Sequence, residues 1–342
     1  MNGKTASLSV VIISHNQRDV LRRCIDSVLQ QKTSFPVEVI VSDDRSTDGT
    51  REMLLNEYAG RIDVTFCNSN DIQPIYTIER SSFNRLNGLK IATGKYIIHI
   101  DGDDFFTGTD LFQLMVDVLE LHPECAACCQ KYAVVQSSDL SSVEIPKNGY
   151  PEKECVISVR EFIGRMNYLH NSCFCFRRDR YSFENDLSGI PYDDNTITAR
   201  YLYDGSIAVM DRCDFRYVQY GNSSCTSLTD EEKSILFHPE IAMAYLCPTL
   251  AFDYMKKNLG LFTFYSHLIL CKFNIPEKVQ LYFKSHSIFI YKQLGNNVNP
   301  IVRMRYLAIY LLSCFMVKFC IKKQTFYRVL YRLAIGKYQC DL

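Results

Sequence analysis

The chain has 342 residues, 47% of them hydrophobic and 22% charged, and this composition indicates a globular protein of one large domain or two ordinary ones. The formal net charge is zero, but from Ala251 onward 14 Lys or Arg residues stand against three acids, a net charge of +11. The preceding residues therefore carry −11, and this asymmetry predicts a basic segment that faces an anionic surface.

The fifteen cysteines are predicted to be reduced thiols. Their number is odd, and the early apolar run from Leu8 to Ile13 fits a strand rather than the apolar core of a secretory signal. The Cys-x-x-Cys at Cys125 and the Cys-x-Cys at Cys173 lack a second pair of ligands at zinc-site spacing. We therefore expect small buried thiols here rather than a zinc site.

Apolar strands and helices alternate at the beginning of the chain. The run from Leu8 to Ser14 is continuously apolar and rich in β-branched residues, which is typical of a strand buried on both faces. The alternation predicts a mostly parallel sheet with helices on both faces. The predicted strands are residues 8–14, 37–41, 64–67 and 96–100, and the predicted helices are residues 20–29, about 50–58 and 81–92.

Polar residues follow three of these strands: Ser14-His15-Asn16, Asp43-Asp44 and Asp101-Gly102-Asp103-Asp104. Because parallel sheets bind ligands at the carboxyl ends of their strands, we expect these groups to share one site. The last group places three carboxylates within four positions, where they repel each other unless a divalent cation binds them. For that group alone, the alternative is a polar turn at a strand end.

The rest of the chain changes character twice. Residues from about 126 to 227 mix short strands with loops, and from about Thr229 the sequence becomes helical, aromatic and basic. We predict two domains, residues 1–228 and 229–342. The longest apolar stretch, Tyr306 to Val317, has 12 residues and is too short to span a bilayer.

Two common nucleotide-binding motifs are absent from the sequence. No Gly-x-Gly-x-x-Gly follows the first strand, and no Walker A motif occurs, so a dinucleotide site is disfavoured. What remains is a nucleotide-sized crevice lined by acids. Acids beside a diphosphate are favourable only where a metal ion bridges them, as Mg²⁺ or Mn²⁺ does between carboxylates and phosphates.

Three segments together resemble the family 2 inverting glycosyltransferases, which have the GT-A fold. They are SVVIISHN (residues 9–16), VIVSDDRSTDGT (39–50) and RLNGLKIATGKYIIHIDGDDFF (85–106), and the resemblance covers roughly Ser7 to Ser227. It implies an α/β fold of the GT-A class, Rossmann-like, with a mostly parallel sheet, helices on both faces and an added C-terminal helical region.

The resemblance implies roles for the residues on the nucleotide side. Asp43 is expected at the edge of the base and Asp44 close to it, and the alternative is a pair of turn-forming acids. Ser14, His15 and Asn16 are expected to line the nucleotide, although His15 can instead cap its own loop.

The resemblance also implies the residues on the sugar and metal side. Arg85 matches an arginine that faces the nucleotide-sugar, although Leu86 stands where the family commonly has Asn. The Asp-x-Asp motif corresponds to Asp101 and Asp103, with Asp103 the stronger ligand for Mn²⁺ or Mg²⁺ and Asp101 also turned toward the ribose. Asp104 matches a third acid and is expected to be structural.

A further signature lies around Asp194, which resembles the family's catalytic base. The family often has Glu-Asp there, and in this chain Asp193 replaces the Glu, while Arg200 keeps its spacing of six residues beyond Asp194. The alternative for Asp194 is a carboxylate at the start of a helix.

The chain departs from the family farther on. Tyr217 to Tyr220 reads Tyr-Val-Gln-Tyr where the family often shows Tyr-Arg-x-His, so the arginine and the histidine are both missing. A metal or diphosphate contact made by that histidine is therefore supplied differently here or left open.

The implied activity is the metal-dependent, inverting transfer of a sugar from a nucleoside-diphosphate donor to a hydroxyl of a glycan or polyprenyl-linked acceptor, in cell-surface polysaccharide synthesis. A UDP-sugar is favoured because an acid at Asp43 suits uracil. The alternative is a catalytically silent sugar-nucleotide-binding or scaffold subunit of a glycan-assembly complex. The missing Arg and His favour this alternative, whereas the intact Asp101, Asp103 and Asp194 argue against it.

The end of the chain combines basic and apolar residues at helical spacing. Arg328 and Arg332 are four residues apart, beside an apolar stripe that contains Val329 and Leu333. Two alternatives stay open: an interfacial membrane helix, or a packed helical subdomain with a solvated basic face. We expect a cytoplasmic protein, with peripheral contact to the inner face of the membrane in the first case. No recognised nucleic-acid-binding module accompanies the charge, and the oligomeric state stays open.

Overall fold

The protein is represented by a computed structural model that describes residues 7–72, 77–146, 149–159, 161–162, 169–181, 200–202 and 205–221. These residues all belong to one structural unit of the chain. The predicted second domain, residues 229–342, lies outside the described residues. In the described part of the chain, no helix is both long enough and apolar enough to cross a membrane.

Strands and helices alternate in the first part of the chain, as the sequence predicted. The elements are β1 (Leu8–Ser14), α1 (Arg18–Leu29), β2 (Val37–Asp43), α2 (Thr50–Glu57), β3 (Asp63–Phe66), α3 (Thr77–Ile91) and β4 (Tyr96–Asp101). Their boundaries agree with the predicted ones to within two residues, except that α3 begins at Thr77 rather than Ser81.

The second part of the described chain contributes mostly short strands. They are β5 (Phe105–Phe106), β6 (Cys125–Cys129), β7 (Tyr132–Gln136), β8 (Asp139–Glu144), β9 (Cys155–Ser158), β10 (Phe174–Arg177), β11 (Ser206–Val209) and β12 (Phe215–Gln219), with helix α4 (Leu111–Leu121) after β5. The larger sheet has the order β3-β2-β1-β4-β10-β6-β11-β9, and the smaller one has the order β5-β12-β7-β8.

The parallel half of the larger sheet positions the site. β1 pairs in parallel with β2 on one side and with β4 on the other, and all seven β1 residues are buried. The register places Ser14 beside Asp43 and Ile13 beside Asp101. The carboxyl ends of β1, β2 and β4 therefore meet at one edge, as expected for a ligand-binding α/β sheet. Beyond β4 the sheet becomes mixed, because β10 runs antiparallel to it.

The described cysteines are free thiols, and most of them are buried in the core. The buried ones are Cys24, Cys125, Cys128, Cys129, Cys173 and Cys175. Burial raises the pKa of the Cys125 thiol to about 11, which keeps it protonated and unreactive near neutral pH.

Gly94 allows the chain to pass close to β1 after α3 ends. A Cβ at this position would lie 2.5 Å from the backbone nitrogen of Ser9 and 2.7 Å from the carbonyl carbon of Leu8. The Gly94 N–H also donates to the Ser9 hydroxyl (2.8 Å). Because the neighbouring atoms are backbone of a central strand, they cannot move aside locally.

We predict that Gly94→Ala lowers the free energy of unfolding by about 1–3 kcal/mol, since overpacking forces backbone shifts. Urea unfolding followed by circular dichroism measures this loss. Gly221→Ala is the matched control, because a Cβ there meets no atom within 4 Å. Equal stability of the two variants would show that the β1 backbone shifts to accommodate the added methyl group at little cost in free energy.

Candidate active site

The acidic loop at the end of β4, Asp101–Asp104, is anchored by its backbone. The Gly102 N–H donates to the Ile13 carbonyl (2.9 Å), and Nη2 of Arg23 on α1 donates to the Asp103 carbonyl (3.0 Å). A Cβ on Gly102 would lie 2.7 Å from the Ile13 carbonyl oxygen. The glycine of the motif is therefore required by close packing against β1, and not by a left-handed backbone conformation.

Asp101 is held by an ion pair with Arg85. Arg85 Nη2 lies 2.8 Å from Asp101 Oδ1, with the arginine side chain 1% exposed and the aspartate side chain 26% exposed. Burial alone would raise the pKa of Asp101, but the Arg85 guanidinium, together with the nearby His170, outweighs burial and lowers that pKa below its ordinary value. Asp101 is therefore ionised at neutral pH. The sequence predicted Arg85 toward the nucleotide-sugar and did not anticipate this pairing.

Asp103 lies in the opposite electrostatic environment. Burial and repulsion by Asp101 raise the pKa of Asp103 to about 7. Within the described residues Asp103 forms no ion pair, so a bound cation would stabilise its ionised form. The motif thus offers two carboxylates of the kind that a hard divalent cation such as Mn²⁺ or Mg²⁺ takes as ligands.

Asp104 is a structural residue that connects the acidic loop to β12. Its side chain is buried, and Oδ1 accepts a hydrogen bond from the Val218 N–H (2.8 Å). This contact agrees with the structural role expected for Asp104. The hydrogen bond therefore links the acidic loop, which lies at the end of a strand of the larger sheet, to β12 of the smaller sheet.

His170 is a neighbour of the acids that the sequence analysis missed. Its Nε2 lies 4.0 Å from Asp101 Oδ2 and 3.9 Å from Asp104 Oδ2, so by distance alone the three side chains could hold a metal ion. No motif marks His170, which lies in an irregular segment before β10. Only the pairing of β10 with β4 brings it to the site.

The loop after β1 is bound to the loop after β2. His15 Nδ1 donates to the Asp44 carbonyl (2.6 Å), which leaves Nε2 to accept from Asn16 Nδ2 (3.2 Å). Asn16 has a positive φ of 51°, and its Oδ1 accepts from the Thr47 N–H (2.7 Å). His15 therefore binds the loop after β2 rather than the backbone of its own loop, and contact of His15 and Asn16 with a nucleotide stays a prediction.

The two acids after β2 are buried and bound by serines. Asp43 accepts hydrogen bonds from the N–H and the hydroxyl of Ser46. Asp44 accepts hydrogen bonds from the N–H and the hydroxyl of Ser69. Sequence reasoning missed both serines: Ser46 follows Asp43 in a recognisable Asp-x-x-Ser turn pattern, whereas Ser69 lies 25 residues after Asp44 and no local pattern marks it. The base-binding role of the two acids stays a prediction.

Of the remaining residues that the sequence analysis singled out, two are buried and one lies outside the described part of the chain. Ser14 is buried, with a carbonyl that accepts from Asn84 Nδ2 (3.0 Å) and a hydroxyl that has no hydrogen-bond partner among the described residues. Asp194, the predicted base, lies outside the described residues. Arg200 is buried, with its guanidinium carbon 5.4 Å from the centre of the Tyr181 ring.

Residues 9–188 match the model of the family described as Glycosyl transferase family 2, which covers more than half of the chain. The chain belongs to glycosyl transferase family 2. The match includes the acidic loop, Arg85 and the loops after β1 and β2, so the geometry above is that of a family 2 domain.

The alignments with curated relatives cover only part of this chain and part of each relative. The uncharacterized protein Rv1520 of Mycobacterium tuberculosis is 29% identical over 205 residues, which cover 59% of this chain and 56% of the relative. The chain therefore matches about half the length of this relative. Escherichia coli WfaP, a UDP-Glc:α-D-GlcNAc-diphosphoundecaprenol β-1,3-glucosyltransferase, is 31% identical over 104 residues, 30% of this chain and 38% of WfaP.

A solved structure confirms the expected GT-A class of fold. Staphylococcus aureus TarS, residues 1–349, was crystallised in complex with UDP-GlcNAc, and it matches this chain with a TM-score of 0.57 and 15% identity. The match covers 92% of this chain and 91% of that one. At this identity the likeness concerns the fold alone.

We predict that Asp104→Ala lowers the free energy of unfolding by about 1–3 kcal/mol, because the buried Val218 N–H loses its acceptor. Asp104→Asn retains a carbonyl oxygen and should lose less than half as much. Urea unfolding of both variants measures the difference. Equal losses would mean that the charge of Asp104, and not its hydrogen bond, stabilises β12.

Proposed function

We propose that this protein is a metal-dependent inverting glycosyltransferase. It moves a sugar from a nucleoside-diphosphate donor, with a UDP-sugar favoured, to a hydroxyl of a glycan or lipid-linked acceptor in cell-surface polymer synthesis. The observation that carries the proposal is the meeting of three polar loops at one sheet edge in a family 2 domain. TarS bound to UDP-GlcNAc and WfaP, a UDP-Glc-dependent enzyme by name, support a UDP-sugar as the donor.

Each loop is assigned a part of the donor. The loops after β1 and β2, with Ser14, His15, Asn16, Asp43 and Asp44, are proposed to surround the nucleoside. The hydrogen bonds between these two loops support this assignment, because they hold the loops as one preformed wall. Arg85 and Asp101 are proposed to lie toward the ribose and the diphosphate.

Asp101 and Asp103 are the proposed ligands of Mn²⁺ or Mg²⁺. When bound, such an ion neutralises charge on the leaving nucleoside diphosphate. The environment of Asp103 supports this assignment, because burial and its acidic neighbour disfavour its ionised form in the absence of a cation. Arg85 keeps Asp101 ionised, so at least one ligand is ready at neutral pH.

Asp194 is the proposed catalytic base. Its carboxylate takes the proton of the acceptor hydroxyl while the oxygen attacks the anomeric carbon. The bond from that carbon to the diphosphate oxygen breaks, and its electron pair leaves with the diphosphate. Because attack occurs on the face opposite the leaving group, an α-linked donor gives a β-linked product, through an oxocarbenium-like transition state as in glycoside hydrolysis.

The test is the release of nucleoside diphosphate from UDP-, dTDP- and GDP-sugars with Mn²⁺, with and without a polyprenyl-diphosphate-linked saccharide. We predict turnover by the wild type and a loss of about 100-fold or more in Asp194→Ala, the usual contribution of a general base. Asp103→Ala should also lose turnover, and chelation of Mn²⁺ should reproduce that loss. Asp63→Ala is the matched control, because Asp63 is exposed at the amino end of β3, the opposite edge of the sheet.

Two results would contradict this proposal in different ways. Tight nucleotide binding without turnover, in the presence of every donor and acceptor, would favour the catalytically silent subunit. Turnover that is equal in the wild type, Asp103→Ala and Asp194→Ala would leave the activity standing and remove the site assignment.

A lipid-linked acceptor would bring the protein to a membrane surface, and the basic C-terminal segment is proposed to make that contact. The segment lies outside the described residues, and its sequence supports the proposal through Arg328, Arg332 and the apolar stripe beside them. Peripheral contact of this kind would place a cytoplasmic protein on the inner face of the membrane.

We predict that Arg328→Glu/Arg332→Glu weakens partitioning onto anionic vesicles roughly tenfold or more, since each basic residue near such a surface contributes about 1 kcal/mol. Co-sedimentation with phosphatidylglycerol vesicles measures the change, and Arg328→Lys/Arg332→Lys is the charge-conserving control. No sedimentation of the wild type would favour the alternative, a packed subdomain with a solvated basic face.

A further inference from the structure

The ring of His170 is fixed in place beneath the acidic loop. His170 precedes a short 3₁₀ turn, Asn171–Cys173, and its side chain is buried. The ring lies between Phe215 and Tyr217 of β12, at centroid distances of 4.9 Å and 5.0 Å. Because aromatic side chains of a sheet strand hold it, the imidazole has a defined orientation toward the acids.

The backbone around His170 also determines where its proton lies. Nδ1 accepts a hydrogen bond from the Ser172 N–H (3.2 Å). A backbone N–H can only donate, so Nδ1 carries no proton. The proton of the neutral ring is therefore on Nε2, and Nε2 is a donor.

That donor is the atom that faces the acids. Nε2 lies 4.0 Å from Asp101 Oδ2 and 3.9 Å from Asp104 Oδ2, while the other oxygen of Asp101 is bound by Arg85. A metal ligand at Nε2 would need a free lone pair there, which would move the proton to Nδ1. A proton on Nδ1 would point at the Ser172 N–H, so that two hydrogen-bond donors would face each other.

We propose that His170 is a positioning residue: its Nε2–H, 3.9–4.0 Å from the carboxylates of Asp101 and Asp104, orients them electrostatically and leaves the metal ion to Asp101 and Asp103. This inference rests on the proposed function, because it concerns the same metal site. It assigns Asp104 and His170 to the support of that site, although their distances alone would also allow them to be ligands.

The position of the proton is tested first, in the full-length, metal-free protein. Imidazole ¹⁵N NMR with labelled histidine should show a protonated Nε2 and an unprotonated Nδ1 for His170. The chain has seven histidines, and the signal of His170 is the one lost in His170→Gln. A proton on Nδ1 would overturn the inference, whether or not the protein binds metal.

Metal ligation is tested by pulsed electron paramagnetic resonance of the Mn²⁺–UDP complex. We expect no directly coordinated nitrogen in the wild type. A coupling to imidazole nitrogen that disappears in His170→Gln would make His170 a ligand and overturn the inference. A coupling that survives in His170→Gln comes from another nitrogen ligand and would overturn the assignment of the ion to Asp101 and Asp103.

The positioning role is tested by the affinity for Mn²⁺ in the presence of UDP. His170→Phe keeps a ring between Phe215 and Tyr217 but removes the donor, and we expect it to weaken Mn²⁺ binding about tenfold, as loss of an outer-shell partner does. His170→Gln keeps an N–H donor and should stay within about threefold of the wild type.

The two proposals fail in distinguishable ways. Wild-type affinity in His170→Phe, with a melting temperature that shows the variant to be folded, would overturn the positioning role and leave the proposed function intact. A wild-type protein that binds no Mn²⁺ with UDP would overturn the proposed function, and the NMR result would still decide the proton position of His170.

Discussion

Repulsion among three carboxylates at the end of β4 is the constraint around which the described structure is organised. Asp101, Asp103 and Asp104 follow one another within four positions, in a partly dry environment where like charges are costly. The fold gives each of them a different solution. Arg85 pairs with Asp101, the β12 backbone donates to Asp104, and Asp103 is left with a pKa raised to about 7. The acid with the least compensation is the one best suited to receive a cation.

This division depends on close packing as much as on charge. Gly102 lets the acidic loop press against the β1 carbonyl of Ile13, and Arg23 holds the loop from the side of α1. A side chain at Gly102 would push the loop away from β1, and Asp101 and Asp104 would no longer meet Arg85 and the Val218 N–H. The loops after β1 and β2 are joined in the same way, through His15, Asn16 and Thr47. The two loops thus form one preformed surface at this edge of the sheet.

The sequence predicted what is local and missed what is distant. β1 and β4 were predicted almost to the residue, because long runs of apolar, β-branched residues favour a buried strand whatever surrounds them. α3 was predicted to begin four residues too late, since its first turn is mostly polar and Glu79 is buried there by tertiary contacts. The partner of Asp104 lies on β12 and that of Asp101 on α3, and no spacing rule connects such positions. His170 was missed because only β-sheet pairing carries it to the acids.

The contacts of β12 change the interpretation of the family motif that this chain lacks at residues 217–220. The family often has Tyr-Arg-x-His where this chain has Tyr217 to Tyr220, and the missing side chains suggested a weakened site. Yet Val218 serves the site through its backbone N–H, which any residue except proline can supply, and the Tyr217 ring packs against His170. Arg23 binds the Asp103 carbonyl and lies 3.5 Å from the Tyr220 hydroxyl. The segment around β12 therefore contacts the site through a backbone N–H and two tyrosine side chains, without the missing arginine and histidine.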